Sequence, residues 1–173
     1  MFEGVKAIKI FKEVLDWLCH ILVSVIVALV VIIFVAQPSH VEGSSMEPTL
    51  SDNDQILINK IPHSLKINVN YGDIVIVDRR VDRKRDLMDD ITDTLKYNLI
   101  SYMLFNEKEQ IYLVKRVIGK PGDILEYQGN KLIRNNRIIK EPYIKELMEY
   151  FPDGCINVPE GYVFVMGDNR NSN

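Results

Sequence analysis

Hydrophobic residues are unevenly spread along the 173-residue chain, and the longest apolar stretch lies near its N-terminus. From Trp17 to Ala36 about 20 residues pass almost without a polar group, which is the length that an α-helix needs to cross a hydrocarbon core of ~30 Å. A cleaved signal peptide has a shorter apolar core, of roughly 7–15 residues. The stretch therefore predicts a retained transmembrane helix over residues 17–36.

The basic residues on either side of this predicted span indicate its orientation. Three lysines lie in residues 1–16, and no lysine or arginine follows the span before Lys60. Basic residues that flank a span tend to stay in the cytoplasm. We therefore expect a single-pass protein of the cell membrane, with residues 1–16 in the cytoplasm and residues 37–173 outside it.

Beyond the span, the hydrophobic pattern changes to short runs rich in Val, Ile and Tyr, separated by Gly, Pro, Asn and Asp. Such runs are typical of β-strands with turns between them. The Gly129-Asn130 pair predicts a tight hairpin turn, because both residues tolerate positive φ. The predicted strands are Gln55–Ile61, Asp73–Asp78, Ile111–Ile118, Asp123–Tyr127, Lys131–Ile133 and Gly161–Met166.

One segment between the strands has a helical period instead. Apolar residues recur three or four positions apart between Leu87 and Tyr102, and charged residues fill the opposite face. This spacing predicts an inserted amphipathic helix over residues 86–105. Its apolar face either covers the sheet or rests on the bilayer, and the weakly basic polar face favours the sheet.

Composition and charge exclude several classes of function. The formal net charge is −3 and no basic stripe is present, so nucleic acid is not an expected partner. Cys19 lies within the predicted span, which makes an intramolecular disulfide with Cys155 implausible. The three histidines lack the spacing of metal ligands. We therefore expect neither a metal ion nor a cofactor.

A candidate nucleophile lies in the loop 43–48, shortly after the predicted span. This loop contains Ser44 and Ser45, and a serine in such a turn often has only a structural role. A serine hydroxyl becomes a nucleophile when a base removes its proton. His40 is near in sequence, but no aspartate in a suitable context would orient it, so a Ser-His-Asp triad is weakly supported.

The stronger candidate base is Lys115, which lies in a predicted strand. Alternate residues of a strand share a face, so Lys115 stands in an apolar row with Leu113 and Val117. An unperturbed lysine has a pKa of about 10.4 and is a poor base at pH 7, whereas burial destabilises its ammonium form. Lowering the pKa by about three units requires roughly 4 kcal/mol of such destabilisation. The alternative is that Lys115 and Arg116 form an ordinary exposed pair at a strand end.

The order of four motifs after the predicted span resembles the type I signal peptidases, membrane-anchored serine proteases that remove signal peptides from exported proteins. The motifs are GSSMEPTL, YGDIVIV, YLVKRVIGKPGD and GYVFVMGDNR, and the similarity runs from the span to the end of the chain. The resemblance implies a mostly β fold, a coiled antiparallel and barrel-like catalytic domain with one N-terminal transmembrane helix. The helix at 86–105 would be an insertion, and a small cap region would lie within about 125–160.

The resemblance also implies roles for individual residues. Ser45, directly before Met46, would be the nucleophile, and Lys115 would be the general base. The backbone N–H of Ser45 would donate to the oxyanion, and a second donor would come from the backbone at Gly43 or from water. The residues implied to support the site are Asp168, Asn169 and Arg170.

The implied substrates are preproteins that carry signal peptides, cleaved at the outer surface of the lipid bilayer. The chain departs from the family pattern after Arg170, where the family continues with an assisting serine and an Asp-Ser-Arg block. Asn173 occupies the place of that serine in an ungapped alignment, and we expect the C-terminal end of the domain to be truncated. The alternative is a catalytically impaired or non-catalytic membrane-tethered β module. The N-terminal span disfavours a self-cleaving Ser-Lys repressor-type protease.

Overall fold

The computed structural model describes residues 2–65, 67–80, 88–89, 92–93, 112–149 and 154–172. In chain order, the helices and strands are α1 (Phe2–Phe34), β1 (Ala36–His40), β2 (Gln55–Asn59), α2 (Ile61–Ser64), β3 (Ile74–Asp78), β4 (Tyr112–Gly119), β5 (Ile124–Gln128), β6 (Lys131–Arg134), β7 (Arg137–Ile138), β8 (Cys155–Asn157) and β9 (Phe164–Met166). All six strands predicted from the sequence are present.

Helix α1 begins well before the predicted transmembrane span. Its stretch Ile8–Phe34, 27 residues, is long and apolar enough to cross a membrane. Most large apolar side chains of this stretch are exposed, because no protein core lies against them. The helix ends at Phe34, and Ala36, predicted as the last residue of the span, begins β1 instead. Pairing with Asn59 of β2 fixes the backbone of Ala36 in an extended conformation.

Strand β1 continues from α1 and forms a two-stranded sheet with β2. The sequence Ala-Gln-Pro-Ser-His contains no β-branched or aromatic residue, so the hydrophobic pattern did not predict a strand there. Pro38 is tolerated because a two-stranded sheet has only edge strands. The backbone N–H of Lys60 donates to the carbonyl of Val35 at 2.9 Å, which ties the end of β2 to the end of α1.

The second sheet contains three strands, in the order β3-β4-β9. Strand β4 is central, with Lys115 opposite Val75 on one side and Arg116 opposite Met166 on the other. The register shifts between Val117 and Gly119, where β4 meets the start of β9. The base candidate Lys115 therefore lies on a sheet separate from the β1-β2 pair, whose connecting loop contains the nucleophile candidate Ser45.

The third sheet contains four short strands, in the order β7-β6-β5-β8. The predicted hairpin turn between β5 and β6 is confirmed, since Gly129 and Asn130 have φ values of 54° and 62°. A second turn of this kind, with Asn135 at 52° and Asn136 at 63°, joins β6 to β7 and was not predicted. The main hydrophobic core lies between this sheet and the end of β4. Its buried members are Ile118, Leu125, Leu132 and Val158.

The fold class predicted from the sequence is confirmed in its main features, because the described part is mostly β, antiparallel throughout and preceded by one apolar helix. The predicted barrel-like closure is not confirmed, because the strands of the described residues form three separate sheets rather than a closed barrel. Residues 88–89 and 92–93 are helical, and the rest of the predicted helix at 86–105 lies outside the described residues. The boundaries of the domain and of the cap region at about 125–160 stay predictions.

Candidate active site

The candidate nucleophile lies in the loop between β1 and β2. The side chain of Met46 is only 1% exposed and holds the loop against the domain. The backbone N–H of Glu47 donates to the carbonyl of Ser44 at 3.1 Å, which makes a tight turn around Ser45. Gly43 adopts a φ of 89°, a conformation that favours glycine, and its N–H donates to a carboxylate oxygen of Asp52 at 2.7 Å.

Asn169 binds this loop from the segment that follows β9. Its backbone N–H donates to the carbonyl of Ser45 at 3.1 Å, and its side-chain amide donates to the carbonyl of Ser44 at 3.2 Å. The hydroxyls of Ser44 and Ser172 lie 3.1 Å apart, within hydrogen-bonding distance. Two consecutive carbonyls of the loop are thus held by one residue, and the backbone at Ser45 has little freedom to move.

The candidate base, Lys115, extends from the middle of β4 into an apolar cleft with a volume of about 510 Å³. Burial lowers the pKa of its amine, because the ammonium form loses hydration that the surrounding side chains do not replace. Within the described part of the chain, Lys115 has no ion-pair partner that would raise the pKa again. The apolar side chains that line the cleft include Val77, Leu113, Met148, Ile156, Phe164 and Met166.

Gly167, the residue directly after β9, is where the two candidates approach each other. A Cβ atom placed on Gly167 would lie 2.3 Å from the carbonyl oxygen of Ser45 and 3.3 Å from Nζ of Lys115. Ser45 does not line the cleft itself. Its carbonyl contacts Asn169 and lies beside Gly167, and both of these residues line the cleft. Among the described residues, no hydrogen bond joins the hydroxyl of Ser45 to the amine of Lys115.

Asp168 is fully buried and holds three parts of the chain together. Its carboxylate accepts hydrogen bonds from Nε and Nη2 of Arg116, at 2.8 and 2.6 Å, and from the hydroxyl of Thr49 at 2.5 Å. Arg116 also donates to the carbonyl of Gly72 at 2.8 Å, and its guanidinium lies 4.2 Å from the centre of the Tyr143 ring. Removing one partner of a buried, bidentate ion pair of this kind destabilises a protein by several kcal/mol. It fixes β4 relative to the nucleophile loop.

Arg170 is the third residue that the sequence assigned to site support. Its Nε donates to the carbonyl of Gly167 at 3.0 Å, and its guanidinium forms a buried ion pair with Glu141. The backbone of Gly167, which lies against the carbonyl of Ser45, is therefore also held by Arg170. By contrast, the alternative base His40 lies on β1, where it contacts Glu42 at 3.0 Å, and is not among the residues lining the cleft.

Comparison with known proteins identifies the family. A model of the family described as signal peptidase, peptidase S26, matches residues 14–173. Signal peptidase I P of Bacillus subtilis subsp. natto is 32% identical to this chain over 176 residues, covering 94% of the chain and 78% of the relative. For signal peptidase I T of Bacillus subtilis (strain 168), the identity is 31% over 165 residues, covering 90% and 71%. Signal peptidase IB of Staphylococcus aureus (strain COL) is 26% identical over 177 residues, covering 92% and 77%.

The chain belongs to the signal peptidase family, peptidase S26. This confirms the resemblance that the four motifs indicated, and it establishes the chain as a member of a peptidase family. The roles assigned to Ser45 and Lys115, and those of the supporting residues, stay predictions. The structure adds that three of these motifs converge in space, since GSSMEPTL, YLVKRVIGKPGD and GYVFVMGDNR meet around Gly167.

The sequence alone did not indicate several residues that hold the site. Thr49 and the carbonyl of Gly72 bind the Asp168–Arg116 pair, and Glu141 binds Arg170 from a loop distant in sequence. Ser172 lines the same cleft as Lys115. The contacts of Thr49, Gly72 and Glu141 could not be predicted, because each is distant in sequence from the residue that it binds.

Proposed function

We propose that this chain is a signal peptidase I, a membrane-anchored serine endopeptidase that removes N-terminal signal peptides from exported preproteins. Ser45 is the nucleophile and Lys115 is the general base. The observation that carries the proposal is the convergence at Gly167. The carbonyl of Ser45 and the amine of Lys115 both lie close to the position that a Cβ atom on Gly167 would occupy. Burial lowers the pKa of this amine, and a lysine must have a lowered pKa to act as a base near neutral pH.

The proposed reaction has two stages. Neutral Lys115 takes the proton from the hydroxyl of Ser45 while the oxygen attacks the scissile carbonyl carbon. The tetrahedral intermediate collapses, the C–N bond breaks, and the departing amine takes the proton from Lys115. A water molecule then attacks the acyl-enzyme, transferring a proton to Lys115, and the ester bond to Ser45 breaks as that proton returns to the serine oxygen.

The oxyanion formed in both stages needs hydrogen-bond donors. The backbone N–H of Ser45 has no acceptor among the described residues, whereas the N–H of Gly43 already donates to Asp52 at 2.7 Å. Ser45 is therefore the better supported of the two predicted donors. Removing one such donor typically lowers the rate by about 10²–10³-fold.

The apolar cleft beside Lys115 supports a substrate with apolar side chains before the scissile bond. Exclusion of water by the substrate would also keep the amine of Lys115 neutral. Small side chains such as alanine are those that the family resemblance implies. The proposed substrates are therefore extended segments of signal peptides with small apolar residues one and three positions before the cut.

The proposed location of the reaction is the outer surface of the cell membrane. Helix α1 is the anchor, and the lysines near its N-terminal end keep residues 1–16 in the cytoplasm. Ser45 follows soon after the end of α1 at Phe34. The nucleophile is thereby held close to the membrane surface, where the cleavage site of a membrane-inserted signal peptide would lie.

A non-catalytic, membrane-tethered β module is the second candidate. The observation that favours it is the absence, among the described residues, of a hydrogen bond between the hydroxyl of Ser45 and the amine of Lys115. Catalytic hydrogen bonds are often long before substrate binds and shorten in the Michaelis complex. An activity measurement separates the two candidates directly.

The test is cleavage, by the full chain in detergent, of a peptide that carries Ala-x-Ala before the scissile bond. The unmodified protein should cleave after the second alanine. Ser45→Ala and Lys115→Met should each lower kcat/KM by at least about 10³-fold, because nucleophile and base act as one unit. Both variants should keep the circular dichroism spectrum of the unmodified protein.

Two matched variants serve as controls. Ser44→Ala removes the neighbouring hydroxyl, and Lys120→Met removes a lysine whose amine lies over the ring of Tyr71 rather than in the cleft. Both should retain activity well above that of the Ser45 and Lys115 variants. No cleavage by the unmodified chain, or equal loss in the Ser44 and Ser45 variants, would contradict the proposed function.

A further inference from the structure

One wall of the cleft comes from a loop rather than from a strand. Met148 lines the cleft together with Lys115, and it lies in the connection between β7 and β8. Its neighbour Leu147 is 55% exposed and does not line the cleft. A loop residue in a binding site is usually adaptable, because solvated backbone can change conformation at little cost.

The backbone on both sides of Met148 is nevertheless held by two side chains. Asn171 accepts a hydrogen bond from the N–H of Glu149 at 2.9 Å, and its amide donates to the carbonyl of Leu147 at 3.0 Å. The hydroxyl of Tyr127 accepts from the N–H of Met148 at 3.2 Å and donates to its carbonyl at 3.3 Å. Four neighbouring backbone groups are thus fixed.

These two side chains come from parts of the molecule that are themselves fixed. Tyr127 lies in β5, which pairs with β6 and β8. Asn171 follows Asp168, Asn169 and Arg170, the residues that bind β4, the nucleophile loop and Glu141. The position of the Met148 loop is therefore coupled to the position of the catalytic candidates.

We propose that Met148 is a specificity-determining residue of this cleft, and that Tyr127 and Asn171 are positioning residues that hold it there. The inference rests on the proposed function, since it takes the cleft to be the site that receives the substrate side chain. The thioether of Met148 limits the size of the side chain that fits beside Leu113 and Phe164. Its lack of branching lets it pack against small side chains without a gap.

The proposal predicts which substrates each variant favours. Met148→Ala enlarges the cleft, so peptides with Leu or Phe one or three residues before the scissile bond should gain affinity relative to peptides with Ala. The ratio of the affinity for the Leu or Phe peptide to the affinity for the Ala peptide should rise by about tenfold or more. This is the effect of one or a few methylene groups in an apolar pocket. Met148→Leu, which keeps the volume, should leave the ratio close to that of the parent.

Tyr127→Phe and Asn171→Ala should shift the ratio in the same direction by a smaller factor, because each releases part of the loop. A purely structural role would lower the affinity for all peptides equally and leave the ratio unchanged. Asn171→Asp keeps the acceptor for Glu149 and should restore part of the selectivity. Leu147→Ala, an exposed neighbour on the same loop, is the matched control and should have no effect on the ratio.

The experiment measures the binding of fluorescent peptides to the full chain in detergent, with all variants made in a Ser45→Ala background so that no peptide is cleaved. A shifted ratio in Met148→Ala, with none in Leu147→Ala, supports the proposal. An unchanged ratio, an equal shift in both variants, or no peptide binding overturns it. Altered selectivity in binding, together with no cleavage by the protein with an intact Ser45, would overturn the proposed function and leave this inference standing.

Discussion

At the scale of single residues, the chemistry that we propose for this site depends on the surroundings of one amine. The alternation of β4 predicted that Lys115 would stand among apolar side chains, and the structure places it in an apolar cleft with Leu113. Burial lowers the pKa of Lys115, in the direction that the sequence pattern predicted. The alternative of an exposed Lys115–Arg116 pair is wrong, because Arg116 is bound to the buried carboxylate of Asp168.

The first prediction at this scale concerns pH. Lys115 can act as the proposed base only when neutral, so activity should rise as the pH passes the pKa of its amine in the folded protein. Since burial lowers that pKa, the midpoint of the rise should lie below the ordinary lysine value of about 10.4. The measurement is kcat/KM against pH with a peptide that has no titratable side chain.

A flat profile from mildly acid to alkaline pH would exclude Lys115 as the base.

The stability of the protein offers an independent check on the same amine. Between the folded and the unfolded pKa of Lys115, the unfolded chain binds more protons, so the free energy of unfolding should rise with pH in that window. Lys115→Met removes the partly buried amine and should unfold in urea at a concentration no lower than the unmodified protein does at neutral pH.

At the scale of elements, the site depends on how closely the end of β9 approaches the nucleophile loop. Gly167 has no side chain, and this allows the carbonyl of Ser45 to lie where a Cβ atom would otherwise be. The backbone at Gly167 is held by Arg170, and the loop is held by Asn169. Neither element can easily move away from the other.

The prediction at this scale is therefore that Gly167→Ala impairs activity without removing any catalytic group. The added Cβ would lie 2.3 Å from a backbone oxygen, so the loop that carries Ser45 must shift. A displacement of about 1 Å of a reacting group can lower the rate by 10²-fold. The measurement is kcat/KM of the purified variant with the Ala-x-Ala peptide.

The matched control for this change is Gly122→Ala. Gly122 has a φ of 83° and no atom within 4 Å of an added Cβ, so the substitution strains a turn without a steric clash. It should lower stability but leave the activity of the folded fraction near that of the unmodified protein. If Gly167→Ala kept full activity, the close approach would have no part in positioning Ser45.

The secondary structure was predictable where local patterns were strong. Gly129 and Asn130 determine a turn by their own backbone preferences, and the runs in β3 and β4 have the composition of buried strands. Strand β1 was not predictable, because its extended conformation comes from pairing with β2 rather than from its composition. The separation of the strands into three sheets likewise follows from packing between distant segments.

At the scale of the whole molecule, apolar side chains near the end of α1 are exposed. Ile61 and Leu65 of the α2 region are 42% and 67% exposed. The hydrogen bond from Lys60 to the carbonyl of Val35 places this region directly at the end of the apolar helix. The interfacial layer of a bilayer is about 5–8 Å thick on each side. If α1 spans the membrane, we therefore expect Ile61 and Leu65 to lie close to the lipid head groups.

The corresponding prediction is that the α2 region enters the membrane interface. In a Trp17→Phe background, the fluorescence of a Leu65→Trp variant should be quenched by lipids whose acyl chains are brominated close to the head group, after reconstitution of the full chain into vesicles. Ile138→Trp is the control, because Ile138 is 60% exposed but lies on β7 in the four-stranded sheet. Equal quenching at the two positions would contradict the prediction.

The sequence by itself determined the family, the strands with strong local patterns, the apolar helix and the identity of the reacting residues that we propose. These features are encoded in neighbouring positions, where hydrophobic period and turn chemistry act over a few residues. Only the tertiary structure decided that Gly167 brings Ser45 toward Lys115, that Asp168 binds Arg116 and Thr49, and that Met148 forms part of the cleft. Each of these contacts joins segments that are distant along the chain, and its geometry depends on the packing of several strands at once.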